Sequence, residues 1–466
     1  MFDALSESEL LGEMSDAQQA ERAATARRVL AAGRLCQLRM AEVAEDDRTQ
    51  WCIDNWEAVA AEVGAELGIS RCRASSQMNY GLELLERLPR LGAVFAAGEI
   101  DFRIVAAAVF RTGLMRDPDV LAKIDTALAT RVGRWNTLSR KRLAALIDGW
   151  VAHFDPAAVR NARSAEQDRH IEFGESRDGM VEFWGAMRAT DAAVLDRALD
   201  GLADAVCATD PRTKRQRRAD ALAALAEGSA NLACDCGVSD CPTAGAPPKG
   251  PFVIHLIADA STLSENSATP GYLPGYGIVP PAMLRELAKR ARLRPLIPPA
   301  LLCAEPRYRP STALAEFIRC RDLVCRFPGC DKPAEVCDID HTVPWHADGP
   351  THPSNLALLC RAHHLLKTFW AGENGWAERQ YADGSITWTS PSGRTYTTKP
   401  GGALFFPALA EPTGEVTPQA GRASAHPGRR LMMPVRQRPR AEERAARIQW
   451  ERSLNEARWA ADPPPF

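Results

Sequence analysis

Residues 337–364 read "CDIDHTVPWHADGPTHPSNLALLCRAHH" and hold five of the nine histidines in a chain of 466 residues. "CDIDH" alternates as a strand does, with Ile339 and His341 on one face and Asp340 on the other. Gly349, Pro350 and Pro353 set a turn, Asn355 leads into "LALLC" as a second strand, and His364 opens the helix "HLLKTFW". Strand, loop, strand and helix would gather a carboxylate, two imidazoles and a carboxamide. A strand end or bulge near Pro344 would let Asp340 and His341 reach a common cleft.

Cysteines flank this stretch. Cys325 and Cys330 bracket "RFPG", a tight turn able to aim both sulfurs at one point. Cys360 and His363 form a C-x2-H pair about thirty residues on, and two short-spaced pairs fit a closed tetrahedral zinc site. A small β-rich region with few bulky apolar residues would draw much of its folding free energy from that ion. Asp340, His341, Asn355 and His364 have no place in the tetrahedron. They suit phosphodiester hydrolysis, in which a hard divalent cation takes oxygen ligands and a neutral imidazole deprotonates the attacking water. Lys367, one turn past His364, would touch a phosphate. His346 and His352 read as exposed or substrate-rim residues, and Cys320 and Cys337 as weaker alternative zinc ligands.

Together these residues, "C-x4-C … D-H … N … C-x2-H-H-x2-K", resemble the HNH endonuclease motif, a ββα-metal nuclease module. "RCRDLVCRFPGCDKPA", "DIDHTVPW", "GPTHPSNLALLCRAHHLLKTF" and "WTSPSGRTYTT" are similar to actinobacterial HNH proteins of the mycobacterial thirteen-E-twelve repeat family, which carry a long N-terminal domain of unknown function. The resemblance is most specific over residues 305–400. It implies His341 as general base and Asn355 as the residue that orients base or loop, touching the metal in some members. It implies His364 as ligand of the catalytic cation, Mg2+ or Mn2+, with Asp340 as its carboxylate partner, and Cys325, Cys330, Cys360 and His363 as the structural zinc set. Two departures, C-x4-C for C-x2-C and histidine for the last cysteine, leave His363 and His364 adjacent with exchangeable roles. Their side chains diverge by about 100° on a helix, so they should serve different ions.

The expected fold is a mostly α N-terminal region, a small α+β middle section, and a C-terminal ββα-metal module with a β-meander after it. We divide the chain into a helical domain at 1–160, an α+β continuation at 161–300, the HNH domain at 305–400 and a Pro- and Arg-rich tail at 401–466. Residues 55–90 have a helix-turn-helix outline, with Gly68 in the turn and Ser70 as N-cap; Arg71, Arg73, Ser75 and Gln77 would face a groove if it bound DNA. A helical hairpin in a bundle is the preferred reading. Residues 169–187 read as a strand hairpin, after which Thr190 or Asp191 caps a helix. "TKRQRRADALAALAEG" is an amphipathic helix with a basic head. "PFVIHLIAD" reads as a buried strand holding His255, joined by a Gly- and Pro-rich connection to "AMLRELAKRARL".

Cys234, Cys236 and Cys241 have C-x-C-x4-C spacing without a fourth ligand nearby, which argues against zinc; Cys36, Cys52, Cys72 and Cys207 are scattered. Thirteen cysteines, an acidic N-terminus without a secretory pattern and no unbroken apolar span point to a cytoplasmic protein with no membrane contact. DNA is the expected partner, although the net charge is −2 and residues 301–400 hold eleven basic and eleven acidic side chains. That balance motivates a second reading, a DNA-binding or scaffolding protein with an idle module. Its cationic element would be residues 421–460, with ten arginines against four acidic residues.

Overall fold

The structure, a computed structural model, describes residues 2–41, 47–160, 169–243, 256–264, 267–289, 291–296, 303–372, 374–414 and 432–461. The chain divides into two compact units, residues 1–161 with 295–466, and residues 162–294. In the first unit, α1 (Glu7–Ala41), α2 (Asn55–Leu67), α3 (Arg71–Glu86), α4 (Pro89–Ala96), α5 (Phe102–Thr112), α6 (Pro118–Ala129) and α7 (Arg140–Phe154) form a helical bundle. Their apolar stripes meet in a core that includes Leu84, Leu91, Phe95, Ile104, Ile124, Leu128, Ile147 and Val151.

The turn between α2 and α3 follows the local code. Gly68 closes α2 at φ 61°, and the Ser70 hydroxyl accepts from Arg73 N–H at 3.4 Å. Two of the four α3 residues expected to meet a groove, Arg71 and Ser75, are engaged by α2, whereas Arg73 is exposed. Arg71 pairs with Glu57, Ser75 Oγ accepts from Trp56 Nε1 at 2.7 Å, and Gly81 packs against the backbone of Val29 and Gly33 on α1. A Cβ at position 81 would overlap the Val29 carbonyl, so this helix crossing requires glycine.

In the second unit, β1 (His170–Arg177) and β2 (Met180–Ala186) pair antiparallel across a turn in which Asp178 and Gly179 both have positive φ. Helices α8 (Ala189–Asp204) and α9 (Lys214–Ala226) follow. The cap expected from Thr190 or Asp191 is not used, since α8 starts earlier, at Ala189, with Arg188 at its N-cap. The basic head of α9 is matched by α8 carboxylates. Lys214 binds Asp204 at 3.0 Å and Arg218 binds Asp196 at 2.5 Å. Past the short α10 (Ala260–Leu263), the Gly- and Pro-rich connection is itself a hairpin, β3 (Gly271–Leu273) with β4 (Gly277–Val279), leading to α11 (Pro281–Ala288). His255 lies outside the described residues; of the expected strand the described residues show one isolated bridge, Ile257 with Tyr272.

The first unit resumes with α12 (Thr312–Asp322), β5 (Cys337–His341), β6 (Leu356–Cys360), α13 (Arg361–Phe369), and a three-stranded antiparallel sheet of β7 (Ala377–Gln380), β8 (Ile386–Thr389) and β9 (Thr395–Thr398). The core here is shared along the chain, because Trp51, Ile53, Ala61 and Ala65 pack with Phe317, Phe327, Leu358, Leu366 and Trp388. A buried ion triad ties the layers together. Asp322 accepts from Arg321, Arg326 and the Leu358 N–H, while Arg321 reaches the Pro353 and Leu356 carbonyls and Arg326 those of Gly384 and Thr398.

The charged end forms α14 (Arg440–Ala461), and its arginines bind the helical bundle. Arg440 pairs with Asp54 and Glu57, Arg444 with Glu83, and Arg452 with Asp155. For these three arginines this corrects the picture of a cationic element free to hold a polyanion. Among the described residues no helix is long and apolar enough to cross a membrane.

Candidate metal and catalytic centre

Helix α13 presents two faces, each carrying residues three apart. His363 and Leu366 turn inward, whereas His364 and Lys367 turn toward β5. That divergence separates the two adjacent histidines, as their angle on a helix requires.

On the inward face, the ligand atoms of Cys325, Cys330, Cys360 and His363 all lie within 4.8 Å of one another. His363 Nδ1 is 3.4 Å from Cys325 Sγ and 3.3 Å from Cys360 Sγ. Three sulfurs and one imidazole nitrogen around one point match tetrahedral zinc, where ligand atoms about 2.3 Å from the metal sit roughly 3.5–4 Å apart. The His363 ring stacks on Phe327 with centroids 4.1 Å apart, which fixes its orientation. Cys320 and Cys337 are outside this set.

On the other face, Asp338 and Asp340 alternate on β5 and so project together. His364 Nδ1 bonds Asp338 Oδ2 at 2.8 Å, and its Nε2 lies 3.4 Å from Asp340 Oδ1. Both ring nitrogens thus face carboxylates, and a cation would need Nε2 free of its proton beside that oxygen. The two donor atoms then resemble neighbouring corners of a divalent-ion shell, whose edge is about 3 Å at ligand lengths near 2.1 Å. Burial works against charge on His364, but Asp340 and then Asp338 outweigh it and push the imidazole pKa up.

Lys367 is placed otherwise than the phosphate-contact reading expected. Its ammonium is buried, bonding Asp340 Oδ2 and the His341 carbonyl at 2.5 Å each and Glu378 at 2.7 Å. With three internal partners it presents no free donor arm to a phosphate.

His341 is 5% exposed. Its Nε2 is 2.9 Å from Thr351 Oγ1, and that hydroxyl lies 2.6 Å from the Arg307 carbonyl. A carbonyl can only accept, so the single hydroxyl proton goes to Arg307 and Thr351 accepts from His341 Nε2–H. The neutral ring therefore keeps its lone pair on Nδ1. Tyr308 stacks on the imidazole at 5.3 Å and Trp345 meets its edge at 5.9 Å. Burial pushes its pKa down. The described contacts connect His341 to the Asp340–His364 pair through Lys367.

Asn355, 2% exposed, staples the β5–β6 loop. Its Oδ1 accepts from Val343 N–H at 2.8 Å, while Nδ2 donates to the Val343 and Pro350 carbonyls at 3.1 and 2.9 Å. These bonds serve loop orientation. Gly349 is required beside them, because a Cβ there would overlap the Val343 carbonyl. His346 is exposed, but His352 is buried, its Nδ1 accepting from Ser354 N–H at 3.1 Å, which corrects the rim reading for that residue.

Sequence reasoning missed Asp338, Thr351 and Glu378. Asp338 had a usable signal, its two-residue spacing from Asp340 on a strand; the other two are brought in by the loop and the later sheet.

The chain matches the family described as "Domain of unknown function (DUF222)" over residues 16–322 and the family described as "HNH endonuclease" over residues 320–369. It is 44% identical to "Uncharacterized protein Rv2100" of Mycobacterium tuberculosis (strain ATCC 25618 / H37Rv), over 98% of this chain and 90% of that protein. "Uncharacterized protein Rv3776" of the same strain is also 44% identical, over 95% and 89% respectively. "Uncharacterized protein Rv1128c" is 26% identical over 70% of this chain and 73% of its own length. No solved structure matches the chain.

Proposed function

This chain belongs to the DUF222 family and carries an HNH endonuclease domain, and from that premise we propose that it is a metal-dependent endonuclease hydrolysing DNA phosphodiester bonds at a ββα-metal centre. The observation that carries the reading is the pair of imidazole contacts: His341 Nε2 lies 2.9 Å from Thr351 Oγ1, and His364 lies with Nδ1 2.8 Å from Asp338 and Nε2 3.4 Å from Asp340 Oδ1.

In this mechanism His341 Nδ1 takes the proton of the water that attacks phosphorus, while Nε2–H stays on Thr351. Asp340 Oδ1 and His364 Nε2 would hold Mg2+ or Mn2+, which when bound supplies positive charge to the scissile phosphate and the leaving oxygen. Lys367 holds the second Asp340 oxygen and so fixes the direction of the first. Asn355 clamps Val343 and Pro350, and so keeps the β5–β6 loop that carries Trp345 and Thr351 in register. Cys325, Cys330, Cys360 and His363 would hold the structural zinc that anchors α13 to the Cys325–Cys330 turn. The reducing cytoplasm is the proposed compartment, consistent with thirteen free thiols.

The test is cleavage of supercoiled plasmid by the full chain with magnesium or manganese. Nicked or linear product is expected, with His341→Ala slower by about 10²-fold or more. Intact plasmid with wild type, or equal cleavage by His341→Ala, removes the proposal.

A second reading, an idle DNA-binding module, is favoured by the cover of Tyr308 and Trp345 over His341 and by the balanced charge of residues 301–400. It predicts binding without cleavage. The ion pairs of Arg440, Arg444 and Arg452 with bundle carboxylates weaken it, since they engage arginines that this reading needs for phosphate.

A further inference from the structure

The second unit contains its own sulfur cluster. Cys207 lies in the turn between α8 and α9, and Cys234, Cys236 and Cys241 lie in the loop that returns from α9. The spacing of the last three lacks a nearby fourth ligand in sequence, but the helical hairpin supplies one. All four sulfurs are within 4.8 Å of one another, with Cys207 Sγ and Cys234 Sγ 3.2 Å apart.

The protein holds this geometry by contacts that do not involve the sulfurs. Arg212 binds Asp210 at 2.7 Å and the Ala233 carbonyl at 2.7 Å, and Asp210 Oδ2 accepts from Asp235 N–H at 2.9 Å. This staple fastens the interhelical turn to the loop on either side of Cys234. Cys234 N–H donates to the Thr243 carbonyl at 2.9 Å, closing the loop around Cys241. Gly237, with φ 71°, turns the chain just after Cys236. Thr209 and Thr243 each place a hydroxyl on a sulfur two residues earlier, at 3.1 and 3.3 Å, where it can donate to a thiolate.

We propose that Cys207, Cys234, Cys236 and Cys241 form a second zinc site, a closed all-cysteine tetrahedron that fastens the α8–α9 hairpin to its returning loop. The ligand class is a single thiophilic divalent ion. Four thiolates around one zinc sit about 3.8 Å apart, in keeping with the compactness of the cluster, and four cysteine ligands leave no position open for substrate. The hairpin needs such a fastening. Among the described residues its buried apolar cluster is Leu202, Ala221, Ala224 and Leu232, with Leu199, Val206 and Leu225 half-buried against it, a small core for two helices. The four half-buried sulfurs can lose their protons to solvent as the ion binds.

The experiment is elemental analysis of the full chain purified from zinc-supplemented culture, with thiols counted in parallel. We expect about two zinc ions per chain, one for each sulfur cluster. Cys234→Ser/Cys236→Ser should lose about one, and Cys330→Ser/Cys360→Ser about one independently. Cobalt(II) reconstitution of the wild-type chain gives a readout that needs no variant to fold. Seven thiolate ligands instead of three should roughly double the near-ultraviolet charge-transfer absorption. About one zinc in wild type overturns the proposal, as does unchanged metal content in Cys234→Ser/Cys236→Ser. A Cys207–Cys234 disulfide in the thiol count overturns it as well. None of these readouts depends on nuclease activity.

Discussion

Lys367 Nζ lies 2.5 Å from Asp340 Oδ2, inside the protein, at the place where an HNH-like motif is expected to present its cationic side chain to substrate. Burial opposes its charge, but Glu378 and Asp340 outweigh burial and push the ammonium pKa up. Replacing it with methionine strands two carboxylates. Lys367→Met should cost about 3–5 kcal/mol of stability, with part of the loss recovered in Lys367→Met/Glu378→Gln. Chemical denaturation of the three proteins checks this.

In the proposed mechanism Thr351 acts only through His341, whose Nε2 it meets at 2.9 Å. Thr351→Val removes the acceptor that holds Nε2–H, so cleavage should fall by about 10- to 100-fold at unchanged plasmid affinity. Thr351→Ser keeps the hydroxyl and should restore most of the rate. An unchanged pH–rate profile in the valine variant would argue that Thr351 only packs.

The Asp322 carboxylate gives the fold an acid dependence with a defined sign. Burial opposes its charge, but Arg321 and Arg326 outweigh burial and hold its pKa below the usual carboxylate value. A lowered folded pKa gives stability that is fully present above about pH 4 and is lost as pH falls further. Asp322→Asn should therefore be less stable than wild type at pH 7 by about 3–5 kcal/mol. The gap should narrow below about pH 4, read from urea unfolding at both pH values.

Asn355 and Gly349 share one loop closure. Asn355→Ala leaves the Val343 N–H and two carbonyls without their partners and should cost about 1–3 kcal/mol. Gly349→Ala should open the same loop by steric overlap with Val343. Limited proteolysis should then cut between residues 343 and 350 faster in both variants than in wild type.

Ending the chain after residue 438 removes Arg440 and Arg444 from Asp54, Glu57 and Glu83, all under 10% exposed, and leaves them, among the described residues, only Arg436, Arg71 and Arg87. The truncated chain should lose at least about 3 kcal/mol. Urea unfolding of the truncated and full chains checks this.

Short-range chemistry was readable in the sequence. The Pro-Gly turn between Cys325 and Cys330, the C-x2-H pair, and the turn at Gly68 with its cap at Ser70 depend on neighbours a few residues away. Cys207, Thr351 and Glu378 were not readable, because each meets its partner only after helices or strands have folded back. Nor was the Arg321–Asp322–Arg326 triad, whose composition suggests a solvated surface. Its burial follows from carbonyls of β6 and of the sheet after α13, which Arg321 and Arg326 reach inside the core.

The pairing of α14 with the first helices has a consequence for how the chain is made. A ribosome releases Asp54 and Glu57 long before Arg440, and at roughly 5–20 residues per second the interval is about 20–80 s. During that time the carboxylates lack the Arg440 counter-charge and Trp51 lacks its bridge to Val435. The bundle thus reaches its final form only once α14 has been made, hundreds of residues after the helices it fastens.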